Sequence, residues 1–117
     1  MRSRSRTRRV REATPELLEL VAERFRALAE PARLQILHAL SRGECSVTEL
    51  GEATGMAQAN LSKHLQQLHL AGFLTRRREG LFVRYALADR GVLKLCEIMC
   101  GRLESEVTAT RRIVYAR

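Results

Sequence analysis

Residues 58–72 read QANLSKHLQQLHLAG. Leu61, Leu65 and Leu68 recur at helical spacing, so one edge of this segment is apolar. The other faces carry amides, a hydroxyl, a lysine and histidines, with no carboxylate among them. Surface helices ordinarily mix both signs of charge. A helix without acids suits a polyanion, because phosphates repel carboxylates while amides and hydroxyls can hydrogen-bond to base edges or phosphates. With the leucines anchored inward, the helical wheel turns Ala59, Ser62, Lys63 and Gln66 away from the core. Gln58, Asn60 and Gln67 fall on the flanks and His64 on a shoulder.

The neighbouring segments decide what kind of fold holds this helix. Upstream, Ser46 caps a short helix from Val47 to about Thr54, with Leu50 and Ala53 inward, and Gly55 makes a sharp turn. Earlier still, Thr14-Pro15-Glu16 opens a helix that carries Leu17, Leu18, Val21, Phe25 and Leu28 to about Ala29. Pro31 starts another, with Leu34, Ile36, Leu37 and Leu40, ended by Gly43. Downstream the period changes. FLTRRREGLFVRYALA, residues 73–88, is rich in β-branched and aromatic residues around Glu79-Gly80 and predicts a β-hairpin. Leu81, Val83, Tyr85 and Leu87 share one face at period two, and alternation divides Arg76, Arg77, Arg78 and Arg84 between the faces. A last helix runs from about Gly91 to the low 110s with Val92, Leu95, Cys96, Met99, Leu103 and Val107 as its stripe. Helix, glycine turn, helix, hairpin is the order of a winged helix-turn-helix: mostly α, with a two-stranded wing and extra helices at both ends. In that fold the second helix fills a DNA major groove and the first braces it. The DNA-contacting set is then Gln58, Ala59, Asn60, Ser62, Lys63, His64, Gln66 and Gln67, with Arg76, Arg77, Arg78 and Arg84 on the wing.

The charge distribution agrees. The chain has 117 residues and a net charge of +8. Residues 1–13 hold six arginines against one glutamate, residues 14–55 are net acidic, and residues 56–87 set five basic groups against Glu79. A basic tail and a basic middle suggest a polyanion met by two regions. Residues 1–13 are expected to be disordered alone, either an arm along nucleic acid or a solvated tail, ahead of one domain over 14–117. No apolar run approaches the roughly 20 residues that span a bilayer, and no secretory signal opens the chain, so a cytoplasmic protein without a membrane role is expected. No nucleophile triad, phosphate-binding glycine loop or paired carboxylate motif supports an enzyme. Aromatic residues, at 4%, are few for stacking on single-stranded bases. A constitutive nucleic-acid-binding protein stands as the alternative to a regulator.

Residues 31–89 resemble ArsR/SmtB-type transcriptional repressors. The matching pieces are Pro31-Ala32-Arg33-Leu34, then Ser62 and His64-Leu65 within LSKHLQQL, and RREG at the wing tip. The resemblance implies a homodimer built from the first and last helices. It implies binding to a palindromic operator in double-stranded DNA without any cofactor, and release when an effector binds. Relatives often place thiolate ligands in a segment like ELCVCDL. Here it reads ECSVTEL, with Ser46 and Thr48 at the two cysteine positions and Cys45 one position earlier. The zinc pattern of the last helix is also broken: Asp89 matches, but Gly91, Arg102 and Ser105 stand where the other ligands belong. His38 stands near the cysteine of sulfur-responsive relatives.

Cys96 and Cys100 remain, four apart on the last helix, and Cys45 elsewhere. An odd count in such a chain does not indicate a disulfide framework. Thiols four apart share a helix face and can reach one soft ion such as As(III), Cd(II) or Cu(I), with a third ligand from Cys45 or a partner subunit. Oxidation or a sulfur species is a metal-free alternative trigger. Equally, Cys96 in an apolar stripe can be a small packed hydrophobe.

Overall fold

A computed structural model describes residues 12–115, and side chains as far as residue 111. The tail expected over residues 1–13 lies almost entirely outside the described residues. The elements are α1 (Pro15–Leu28), α2 (Pro31–Leu40), β1 (Cys45–Ser46), α3 (Val47–Thr54), α4 (Gln58–Leu70), β2 (Leu74–Glu79), β3 (Phe82–Leu87) and α5 (Gly91–Tyr115).

Local chemistry sets the boundaries. Thr14 Oγ1 accepts the Leu17 N–H at 3.1 Å, and Pro15 takes the first helical position, where a missing N–H costs nothing. α3 opens on a reciprocal capping box: Glu49 N–H donates to Ser46 Oγ at 3.1 Å and Ser46 N–H donates to Glu49 Oε1 at 2.8 Å. It ends at Gly55, whose φ of +74° turns the chain sharply into α4.

The sheet has three strands in the order β1-β3-β2, not two. β1 pairs antiparallel with β3 through Cys45↔Tyr85 and Ser46↔Arg84. Two residues are too short to show a period, so β1 left no signature in the sequence. β2 and β3 form the hairpin, with Glu79 opposite Phe82 and Gly80-Leu81 as the two-residue turn. Gly80, at φ +62°, supplies the left-handed first position that a primed hairpin turn needs. Leu81 sits on that turn, 94% exposed, rather than on the inward face with Tyr85.

The core joins α2 (Ile36, Leu37, Leu40), α3 (Leu50), α4 (Leu61, Leu65, Leu68), the sheet (Leu74, Tyr85) and Val92 at the start of α5. Ala53, expected inward, is exposed. α2, α3 and α4 pack on one another and β2 lies against α4, so the hairpin is braced by the helix whose composition opened this account. α1 joins this core only through Leu28 at its end and α5 mainly through its first turn, so most of each helix lies outside it. On α1, Leu17, Leu18, Leu20, Val21 and Phe25 are exposed, and on α5 so are Leu95, Ile98, Met99, Leu103 and Val107. Apolar stripes left open on two helices are surfaces awaiting a cover.

Candidate nucleic-acid interface

α4 turns Leu61, Leu65 and Leu68 fully into the core. Gln58, Ala59, Asn60, Ser62, Lys63, Gln66 and Gln67 are all exposed. The helix begins at Ala57 with no side-chain cap, so side chains leave its first-turn N–H groups and the positive end of its dipole open. Four amides, a hydroxyl, an ammonium and free backbone donors thus share an exposed surface. Such a surface can accept phosphates and read base edges.

His64 departs from expectation. Instead of a shoulder, it is buried, and its Nδ1 accepts a hydrogen bond from Arg33 Nε at 3.1 Å. Arg33 also donates to the Ala27 carbonyl at 3.1 Å and lies 3.5 Å from Glu30, itself 3.9 Å from His64 Nδ1. His64 therefore ties α4 to the α1–α2 corner and does not belong to the outward set. The leucine spacing could not separate these positions, because His64 lies beside Leu61 and Leu68 on the wheel.

The wing divides its arginines. Arg77 and Arg84 sit opposite one another in the β2–β3 ladder and share Glu44. Arg77 grips it with two bonds, Nε to Oε2 at 2.9 Å and Nη2 to Oε1 at 2.8 Å, and Arg84 Nε donates to Oε1 at 3.1 Å. Arg84 also reaches Glu49 at 3.4 Å, and Glu79 lies within 3.8 Å of both arginines. The hydrogen bond from Arg77 holds the Glu44 carboxyl below its ordinary range, assisted by Arg84. The Ser46 N–H, and then Arg84, do the same for Glu49. These two guanidiniums are committed to carboxylates. Alternation from buried Leu74 places Arg76 and Arg78 on the other face, where both are exposed and neither meets a carboxylate among the described residues. The sequence did not reveal Glu44 as the partner of two wing arginines, since it lies 33 and 40 residues from them.

The cysteines do not converge. Cys45 sits on β1, half-buried, and its thiol donates to the Gly43 carbonyl at 3.6 Å. Cys96 is half-buried and Cys100 exposed on α5. Among the described residues, no group of three or more His, Cys, Asp or Glu side chains is placed to hold a metal. The trio of Cys45, Cys96 and Cys100 is therefore not assembled within one chain, because β1 fixes Cys45 in the sheet. Burial raises the thiols of Cys45 and Cys96, with Glu49 adding to the first and Cys100 to the second. No helix among the described residues is long and apolar enough to cross a membrane.

Residues 30–76 match the family model described as bacterial regulatory protein, arsR family. A Synechocystis protein named as a transcriptional repressor SmtB homolog is 35% identical over 100 residues, covering 81% of this chain and 76% of its own. A Streptomyces lividans protein named "Probable mercury resistance operon repressor" is 39% identical over 77 residues, 66% of this chain and 62% of its own length. The chain thus spans less than two thirds of that second relative. Among solved structures, the homodimeric winged helix-turn-helix DNA-binding domain Mb0332 of Mycobacterium bovis, described as a possible ArsR-family regulator, superposes with a TM-score of 0.66 at 33% identity. It covers 90% of this chain and 94% of its own.

Proposed function

The chain belongs to the ArsR family of bacterial regulatory proteins, and from that premise we propose that it is a homodimeric, DNA-binding transcriptional repressor released from its operator by an effector. The observation that carries this is the exposed, carboxylate-free face of α4 on a helix pinned to the core by three leucines. Gln58, Asn60, Ser62, Lys63, Gln66 and Gln67 enter the major groove, Ala59 making the apolar contact. Arg76 and Arg78 hold phosphates beside it. The open stripes of α1 and α5 support a subunit seam, and a two-fold dimer calls for a palindromic operator. One domain over 14–117 working in the cytoplasm fits this role.

The effector is a thiophilic metal or metalloid held at Cys96 and Cys100. The donor set favours soft ions, since no nitrogen or carboxylate ligand joins the pair within the described residues. Binding displaces thiol protons, so affinity rises with pH. A metal-free redox or sulfur trigger would use the same two thiols.

The test compares retardation of a palindromic fragment from the protein's own promoter with that of random DNA and of RNA at about 150 mM salt. Preference for the palindrome is expected. Equal affinity for all three would reject the repressor in favour of a constitutive nucleic-acid binder. Intact-mass measurement after exposure to arsenite, cadmium or polysulfide then distinguishes metal adducts from sulfur adducts.

A further inference from the structure

The tip of the wing carries an apolar side chain that neither the core nor the turn requires. Leu81 is the second residue of the two-residue turn and is 94% exposed. Such turn positions favour glycine, asparagine or aspartate, which tolerate a positive φ or bond to their own backbone. Phe82, the next residue, is 62% exposed. A lone surface leucine is ordinary, but two large apolar side chains in succession at the end of a hairpin form a small patch with nothing to cover it. The patch is held firmly: Glu79 pairs with Phe82 directly below the turn, and Gly80 takes φ +62°, so Leu81 stands at the apex of a tight turn. Tyr85, the last buried side chain toward the tip, lies opposite Arg76. Gly80 is four residues beyond Arg76, so at about 3.4 Å per residue the tip projects roughly 14 Å past the core.

We propose that the wing tip enters the minor groove beside the α4 half-site, and that Leu81 wedges between two base pairs there and kinks the duplex. This rests on the reading above that α4 lies in the major groove, and it adds a contact that reads DNA shape. Charge, reach and chemistry favour this occupant over a protein surface. Arg76 and Arg78 on the wing are exposed and meet no carboxylate among the described residues, so the approach to the tip is cationic. They can hold the phosphates that border a groove while an apolar side chain goes between them. β2 packs on α4, so the wing leaves the protein beside the recognition helix. Half a turn of B-DNA, about 17 Å, separates a major-groove site from the next minor groove, a span comparable with the reach of the tip. Leucine and phenylalanine are among the side chains that unstack minor-groove base steps. Leu81 offers no hydrogen bond, so it selects by deformability: pyrimidine–purine steps, TA and CA/TG, open most easily. Part of operator choice is then set where no polar side chain touches a base.

The test places a fluorescent adenine analogue in turn at positions on both sides of each half-site of the palindromic promoter fragment, and a dye pair at the fragment's ends. Wild type should raise the analogue's emission at one step per half-site, about half a helical turn from the α4 contact, and should bend the fragment by roughly 20° or more. Leu81→Asn suits the turn better than leucine does, so the hairpin stays formed. It should lose both signals while α4 still selects the palindrome. Replacing the opened step by a stiff A-tract should weaken wild type at least about fivefold and Leu81→Asn by less than about twofold. Wild type on a straight, fully stacked palindrome overturns the wedge and leaves the repressor standing. Leu81→Asn that unstacks and bends DNA as wild type does overturns it as well, since the kink then has another source. Altered sedimentation of Leu81→Asn without DNA assigns the tip to a contact between copies and overturns it in favour of protein. Equal affinity for palindrome, random DNA and RNA removes the repressor, and the wedge with it.

Discussion

At the scale of single residues, burial decides more than composition does. His64 sits in a stretch where every other polar side chain from Gln58 to Gln67 faces solvent, yet it is turned inward with Arg33 as its donor. The bond fixes its tautomer, because an Nδ1 that accepts leaves the ring proton on Nε2. Arg33→Ala removes the donor and strands a buried acceptor, a defect worth about 1–3 kcal/mol. Chemical denaturation should show that loss, whereas Lys63→Ala, one position along α4 but exposed, should leave stability within about 0.5 kcal/mol. DNA affinity should respond the other way, Lys63→Ala weakening it through a lost phosphate contact. Equal behaviour of the two variants in both measurements would refute the division of α4 into an inward and an outward set. The outward set was legible because leucine spacing fixes a helix's inner edge. The exception was not, because an imidazole is small and apolar enough to join that edge once it finds a partner.

At the scale of elements, the wing is held by electrostatics that no local pattern announces. Its strands, its turn and the split of arginines between faces follow from alternation and from Gly80. Which face is neutralised follows from Glu44 and Glu49, brought in by the two-residue strand β1. Glu44→Gln removes the bidentate anchor of Arg77 and one partner of Arg84. Arg77 then loses its bidentate partner and becomes available to phosphates, while Arg84 keeps Glu49. Binding to non-specific DNA should tighten, and the slope of log K against log salt should steepen by about one unit. An unchanged slope would mean that Arg77 cannot reach DNA even when released. The same anchor is pH-dependent. The Glu44 carboxyl titrates below its ordinary 4.5, so its stabilisation is present above that value and is lost as the pH falls through the depressed one. Backbone amide shifts of residues 76–78 and 83–85, followed down an acid titration, should therefore move below pH 4.5 rather than above it. Movement near neutrality would place their cause elsewhere.

At the scale of the whole molecule, the order of helices and hairpin specified the fold, and the unpaired stripes of α1 and α5 are where one chain stops being sufficient. A helix as long as α5, with Leu103 and Val107 half-exposed far beyond its last buried residue Val92, has little to hold it in a monomer. Isolated helices are marginal in water, and most helical stability in proteins comes from packing an apolar face. A second copy that lays its own α1 and α5 against these stripes supplies that packing to both chains at once. Leu103→Glu places a charge in such a seam without touching the core or α4. Sedimentation should show the wild type as a dimer and the variant as a monomer with α4 and the wing intact by amide spectra. Each monomer then offers one recognition helix where the operator expects two. Losing the second half-site should cost palindrome affinity far more than non-specific affinity, because the phosphate contacts of a single wing survive while simultaneous engagement does not. A Leu103→Glu protein that stays dimeric would move the seam off α5.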